Sequence, residues 1–209
     1  MTLRNPPALG AVHAPADGTG SRMGLWLLLF TELILWGGLF LAYAVYRFTY
    51  AGDFRLAAEE MDTMMGTVNT IILLSSSLTA VFSVTALRQG RRRLAVLMVV
   101  LTLLFAVLFL VNRYFEWSHR ADAGIVPGAP LLLERPPGET IYSGLYDTMT
   151  GLHGLHVLAG MALFGWVLRL MAAGRIHPGA PVRLENVCLY WHLVDIIWIF
   201  LFPLFYLMK

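Results

Sequence analysis

Charged residues are scarce in this chain of 209 residues, where they make up 13%, against ~25% in a usual soluble domain. Lysine occurs once, as Lys209, and Cys188 is the single cysteine. One cysteine excludes an intrachain disulfide, and a chain without a CxxC pair is not a zinc module. A formal net charge of +2 excludes the electrostatic footprint of a nucleic-acid-binding protein. So few charges cannot cover a globular surface, which excludes a soluble enzyme.

Apolar residues make up 58% of the chain and are collected in long runs. Strands of a β-barrel would alternate polar and apolar residues, which these runs do not. Because lipid offers no hydrogen bonds to the backbone, helices are favoured. We therefore predict an all-α membrane protein, a bundle of five transmembrane helices within residues 23–209, after a disordered tail of residues 1–22 that is not a signal peptide. The spans are roughly Met23–Tyr46, Thr67–Leu87, Leu94–Phe115, Thr148–Met171 and Val187–Met208.

Arginines set the expected orientation. Five spans put the two termini on opposite sides, and Arg88–Arg93 holds four arginines in six residues. By the positive-inside rule, this turn and the N-terminus are cytoplasmic and Lys209 is periplasmic. Two long connections, Ala51–Gly66 and Ser118–Ile141, then lie outside, where each is expected to fold over the membrane surface or contact a partner.

Glu32 lies about a third of the way into the first span, where an ionisable group is costly without a partner or a polar cavity. One interpretation is proton transfer, or a contact with lipid or ligand. The other is a neutral carboxyl group hydrogen-bonded to another helix, and His156 is a candidate partner at similar depth. Arg22 and Arg169, on the inner side, are candidates for phospholipid headgroup contacts because a guanidinium group can reach a phosphate.

His153 and His156 stand one helical turn apart on one face of the fourth span. A bis-histidine haem would need an opposing histidine at similar depth, and His192 lies near the inner end of the last span instead. A di-iron site needs paired Glu-x-x-His motifs, whereas Glu116 and His119 form a single one. We therefore expect no haem or metal in this chain.

His192 and Asp195 are also one turn apart, and a carboxylate so placed can pair with the imidazole. No GxSxG motif supplies a nucleophile that would make them catalytic. Asn69 is a further polar residue inside a span. We expect no catalytic residue in this chain. The buried polar residues of the membrane are expected to be Glu32, Asn69, Glu116, His153, His156, His192 and Asp195.

Four segments together resemble subunit III of the haem–copper cytochrome c and quinol oxidases. Glu32 falls on the buried glutamate of the family's SE-x-x-x-F-x-x-x-F helix, and Asn69 begins a segment similar to its NT-x-x-L-x-x-S helix. The other two segments look like the family's TGFHGxHV and YWHFVDxVWxxLF motifs, and a weaker fifth, around Glu116, is similar to the end of its middle helix. In this chain the five read FTELILWGGLF from Phe30, NTIILLSSS from Asn69, TGLHGLHV from Thr150, YWHLVDIIWIF from Tyr190 and YFEW from Tyr114.

The resemblance implies a non-catalytic subunit of an oxidase in a bacterial inner membrane. Haem and copper are then held by partner subunits I and II, while this chain packs on subunit I, binds phospholipid, and supports proton uptake and active-site stability. Longer family members have seven spans, and their two leading helices form one wall of a cleft that holds phospholipid.

Two alternatives stay open. One alternative is an accessory subunit of a nitric oxide reductase, because five-helix relatives also occur in those enzymes. A small membrane transporter built around Glu32, His153 and His156 is the other, although no inverted repeat typical of transporters is visible.

Overall fold

The structure is a computed structural model that describes residues 18–126, 129–176, 178 and 181–208; for residues 18–22 and Leu133 it describes the backbone alone. These residues form α-helices, and a π-helical turn closes the last one. The tail predicted for residues 1–22 lies mostly outside this part, and the first helix begins at Gly18. The helices are α1 (Gly18–Thr49), α2 (Ala51–Glu59), α3 (Thr63–Arg88), α4 (Arg92–Asp122), α5 (Pro130–Leu133), α6 (Pro137–Ala172) and α7 (Val182–Phe202), with the π-turn at Pro203–Leu207.

Five of these helices are long and apolar enough to cross a membrane, which confirms the predicted all-α bundle. They extend beyond the apolar runs at several ends; α6, for example, begins eleven residues before Thr148. The chain is thus a multi-pass membrane protein. α7 lies at the centre, because half of the residues in its most apolar stretch are buried. It packs against α1, α3 and α6. α1 is peripheral, because only 6% of the residues in its most apolar stretch are buried.

One end of the bundle, here called the arginine end, is made of short turns. The turn after α3 contains Gly90, whose φ of +75° suits glycine because it has no Cβ, and Arg91 N donates to the Ala86 carbonyl. Gly174 ends α6 in the same way, with a φ of +72°. Between helices, Arg88 donates to Glu185 at 2.8 Å. Short turns of this kind hold neighbouring helices antiparallel.

The opposite end, here called the loop end, carries the two long connections. The first contains α2, which packs across α6 and buries Phe54. The Gly138 backbone N–H donates to the Asp53 carboxylate at 3.1 Å, and a Cβ on Gly138 would lie 2.5 Å from that carboxylate. Arg135 donates to Glu60 at 2.9 Å, and this hydrogen bond raises the pKa of Arg135. The two connections therefore fold over the helix ends and onto each other.

Pro203 changes the end of α7. Proline has no N–H to donate, and after it the chain widens into a π-turn in which Met208 N donates to the Pro203 carbonyl at 3.1 Å. The carbonyls that the turn leaves without helical partners accept from side chains of three other helices. These bonds run from Tyr43 of α1 to Leu204 O at 2.6 Å, from Tyr142 of α6 to Phe205 O at 2.7 Å, and from Thr63 of α3 to Tyr206 O at 3.2 Å.

Close packing between α6 and α7 depends on Gly160. A Cβ built on this residue would lie 2.6 Å from two ring atoms of Trp191. The Trp191 ring cannot easily yield, because it is fully buried and its Nε1–H donates to Ser76 Oγ at 3.0 Å.

We predict that Gly160→Ala lowers the stability of the protein by about 1–3 kcal/mol through overpacking. Gly165→Ala on the same helix is the control, since no atom lies within 4 Å of the place where its Cβ would be, and alanine favours a helix over glycine. Thermal unfolding in detergent measures both changes. Equal midpoints for the two variants would contradict the packing argument.

Candidate functional site

The structure brings Glu32 of α1 to His156 of α6. Glu32 Oε2 lies 2.9 Å from His156 Nε2, without the alignment of a good hydrogen bond. His156 Nδ1 lies 2.7 Å from the Leu152 carbonyl oxygen, so Nδ1 carries the proton of that bond, because a carbonyl only accepts. Nε2 is therefore the ring nitrogen left for Glu32, which carries the only carboxyl group of α1.

His153 lies one turn away but in a different environment. It is fully buried among Trp36, Phe109 and Trp198, whose ring centroids lie 6.4, 5.6 and 5.1 Å from its own. Neither ring nitrogen has a hydrogen-bond partner in the described part of the chain. The two histidines of the fourth span thus do not form one site.

His192 and Asp195 do not pair with each other as expected. His192 Nδ1 instead lies 2.7 Å from the Ser77 hydroxyl oxygen, across the α3–α7 contact. Asp195 is buried beside Ser77, and neither of its oxygens forms a well-aligned hydrogen bond within the described residues. The physical reason is the serine, which competes for the imidazole from a neighbouring helix.

Asn69 is fully buried and links α3 to α4. Its side-chain oxygen accepts from Asn112 Nδ2 at 2.8 Å. Asn112 was not predicted from the sequence, since a lone asparagine within an apolar run indicates no partner.

Arg113, Glu116, Tyr146 and Tyr206 form a buried cluster, here called the arginine–tyrosine cluster. Glu116 Oε1 accepts from both tyrosine hydroxyls at 2.5 Å, and Glu116 Oε2 accepts from Arg113 Nη1 at 2.6 Å. Arg113 Nη1 also lies 3.0 Å from the Tyr146 hydroxyl and 2.7 Å from that of Tyr206. One cation and one anion are thus neutralised within the protein, with hydroxyl groups completing the hydrogen bonds.

Glu116 was predicted as a buried polar residue, but its surroundings were not. Arg113 lies near the end of the predicted span Leu94–Phe115, and only 6% of it is exposed. The spacing of Arg113 and Glu116 by three residues could have signalled the ion pair. The sequence gave no such signal for Tyr206. This residue lies in the π-turn after Pro203, where the regular helical spacing no longer predicts which helix a side chain contacts.

The remaining candidates lie at the arginine end. Arg169 is exposed in the last turn of α6, and its side chain has no hydrogen bond or ion pair with a described residue. The Arg22 side chain lies outside the described residues.

Among the residues that the structure describes, no three His, Cys, Asp or Glu side chains lie close enough together to hold a metal ion. His119, for example, is exposed while Glu116 is buried.

We predict that Glu116→Ala destabilises the protein by about 3–5 kcal/mol, because it leaves Arg113 buried without its anion. Replacing both partners, with Arg113→Met and Glu116→Leu, should cost less than Glu116→Ala alone. Glu59→Ala is the control, since its ion pair with Arg55 is exposed. Unfolding of the purified protein measures the series. A Glu116→Ala protein as stable as the control would refute a structural role of the ion pair.

Comparison with known proteins gives the family of the chain. Residues 5–209 match the family model of cytochrome c oxidase subunit III. Cytochrome c oxidase subunit 3 of Corynebacterium diphtheriae is 31% identical over 194 residues, which cover 90% of this chain and 87% of that protein. Subunit 3 of the cytochrome bo(3) ubiquinol oxidase of Pseudomonas putida is 29% identical, covering 92% and 87% of the two chains.

A third relative is longer. The haem–copper oxidase subunit I+III of Aeropyrum pernix is 27% identical over 201 residues, which cover 93% of this chain and 23% of that protein. The motifs around Glu32, Asn69, His153 and Asp195 lie within the matched range. On these grounds, the chain belongs to the cytochrome c oxidase subunit III family.

Proposed function

We propose that this chain is a non-catalytic accessory subunit of a haem–copper terminal oxidase of aerobic respiration in a bacterial inner membrane. It packs on subunit I, which with subunit II holds the haem and copper. The observation that carries this proposal is the family match over residues 5–209. The relative named subunit I+III supports the contact, because there the equivalents of subunits I and III are parts of one polypeptide.

The buried polar residues favour a supporting role over chemistry of their own. In the described residues, the charged groups of the arginine–tyrosine cluster are neutralised by each other, and His192 is bonded to Ser77. Groups engaged in this way hold helices together, and a transporter would need some of them open to a pathway. The described helices also show none of the mid-span breaks typical of transporters; Pro203, at the end of α7, is the only proline that interrupts a span after its first turn.

Glu32 and His156 are the pair with a role in proton uptake. Both side chains are mostly buried, at 17% and 13% exposure, yet they lie between peripheral α1 and the rest of the bundle. A proton that moves from the Glu32 carboxyl group to His156 Nε2, across 2.9 Å, turns a neutral pair into an ion pair and leaves the net charge of the α1–α6 contact unchanged. Phospholipid would cover the exposed apolar faces of α1, and a lipid headgroup would contact Arg169 at the arginine end.

The proposed orientation places the arginine end in the cytoplasm. We expect Gln89→Cys, in a protein that also carries Cys188→Ala, to react with an impermeant thiol reagent only after spheroplasts are lysed. Asp122→Cys at the loop end should react in intact spheroplasts. Both positions are exposed. The reverse labelling pattern would overturn the orientation.

Removal of this chain from the oxidase should leave the haem content and the initial rate of oxygen consumption largely intact. Catalysis should then decline over many turnovers, and proton uptake should slow at higher pH, because the surface of subunit I is exposed. Glu32→Ala should reproduce part of this decline. Leu33→Ala is the control, because Leu33 is the exposed neighbour of Glu32 on α1.

The measurement is oxygen consumption over many turnovers at matched haem content. An immediate and complete loss of activity would mean that the chain takes part in the chemistry. A sustained, normal oxidase with a lost ion or solute flux would favour a transporter. Co-purification with a nitric oxide reductase would assign the chain to that enzyme instead.

A further inference from the structure

The imidazole of His192 lies near the middle of the membrane. α7 begins at Val182, five residues before the predicted start of the last span, so His192 is not near the inner end of that span as expected. His192 and Ser77 each lie within three residues of the midpoint of a span, Val182–Leu207 and Thr63–Arg88 respectively. At 1.5 Å per residue, both lie at least ~15 Å from either end of their helices, which is the centre of a hydrocarbon core ~30 Å thick.

Only one nitrogen of His192 is bonded within the described part of the chain. Nδ1 lies 2.7 Å from the Ser77 hydroxyl oxygen, across the α3–α7 contact. Nε2, on the other side of the ring, has no hydrogen bond to a described residue, and the ring is only partly buried. Both nitrogens of His153 are enclosed by the bundle, whereas Nε2 of His192 is not. This atom therefore lies at the outer surface of the bundle.

A nitrogen at this place needs a polar partner from another molecule. In a neutral imidazole one nitrogen donates and the other accepts, and the Ser77 hydroxyl group can serve Nδ1 in either role. Nε2 of His192 is thus a donor or an acceptor, and hydrocarbon satisfies neither. Phospholipid headgroups lie ~15 Å away, beyond the reach of this side chain. A protein group at the midplane is the partner that remains.

Other exposed polar side chains of the spans satisfy themselves. Thr31, Thr67 and Thr85 each donate to a backbone carbonyl three or four residues earlier in their own helix. A hydroxyl group bonded in this way can face lipid at little cost, because its donor is already satisfied. The Nε2 atom of His192 has no bond of this kind, so His192 differs from the residues that are suited to a lipid-facing position.

Exposed apolar residues flank the imidazole on both helices. Leu189 and Ile196 lie one turn before and after His192 on α7, and Leu74 and Leu78 lie beside Ser77 on α3. At about 100° per residue, all four side chains are turned by about 40–100° in the same rotational sense from the contact between His192 and Ser77. Because α3 and α7 are antiparallel, this rotation brings both pairs to one side of the bundle. The six residues are here called the α3–α7 face.

We propose that the α3–α7 face is the surface on which this chain packs against a membrane-spanning helix of subunit I. A polar side chain of that helix, at the midplane of the membrane, forms a hydrogen bond with His192 Nε2. A hydroxyl group fits best, because it serves both tautomers of the imidazole. The apolar residues of the face supply the van der Waals packing that associates helices in lipid, and the hydrogen bond fixes their register. The identity of the partner rests on the proposed function, whereas the place of the surface rests on the structure alone.

Photo-cross-linking in the intact complex tests the surface. Benzoylphenylalanine at position 196, in place of the exposed Ile196, should cross-link this chain to subunit I on irradiation, with mass spectrometry identifying the product. The control is the same probe in place of Leu104, an exposed residue of α4 outside the α3–α7 face and at similar depth, about 18 Å from Arg92.

The cross-linked product separates the two proposals. Products with lipid alone or with a second copy of this chain from position 196, or products with subunit I from position 104 only, would overturn the α3–α7 face as the docking surface. A product between position 196 and a membrane helix of another enzyme would keep the surface and overturn the proposed function.

Two substitutions separate the bond to the partner from the bond to Ser77. The side-chain amide of asparagine can take the place of Nδ1, and that of glutamine can take the place of Nε2. His192→Gln should therefore retain the affinity for subunit I, and His192→Asn should lower it about tenfold, the effect of one hydrogen bond. The measurement is the dissociation constant for rebinding of the purified chain to an oxidase depleted of it, in detergent.

The order of the two variants decides the role of His192. Equal affinities, or a weaker His192→Gln than His192→Asn, would mean that the imidazole serves the fold through Ser77 and would overturn the bond to the partner. Thermal unfolding of each variant without subunit I checks that it is folded. The cross-link from position 196 tests the surface in a chain that keeps His192, so it stands if either variant does not fold.

Discussion

Hydrocarbon cannot satisfy a hydrogen bond, and this constraint explains the polar contacts between the helices. Three side-chain donors inside the bundle have acceptors on other helices: Trp191 on Ser76, Trp198 on Thr70 and Asn112 on Asn69. Each such bond fixes the rotation of two helices relative to each other. Apolar packing alone would fix it less sharply, because the surrounding lipid is as apolar as the core.

The end of α7 is where this constraint is strongest. A helix that stops inside a protein leaves carbonyls without partners. Here Leu204, Phe205 and Tyr206 offer theirs to α1, α6 and α3 in turn. The Tyr206 side chain reaches a fourth helix, α4, through Arg113 and Glu116. One short turn therefore contacts every other membrane-spanning helix and holds the loop end of the bundle together.

The sequence was sufficient for the helices and insufficient for the polar contacts. Long apolar runs predicted the five spans, because their length is set by the membrane. Glu32 and His156 could be matched by depth, since both lie in regular helices. Tyr206 could not, because its position depends on the π-turn that follows Pro203. The burial of Arg113 was equally unexpected, because the apolar run ends next to it. The Ser77 contact of His192 was equally hidden, since residues 115 positions apart carry no shared periodicity.

The peripheral position of α1 has a consequence for the order of synthesis. Its carboxyl group, Glu32, faces a histidine that follows 124 residues later in the chain (156 minus 32). At ~5–20 residues per second, the ribosome needs about 6–25 s to add them. During that time the first helix can be in the bilayer while its partner has not yet been made. The newly made segment must keep its glutamate near the water boundary, or neutral, until the fourth span arrives, so α1 reaches its final place only near the end of translation.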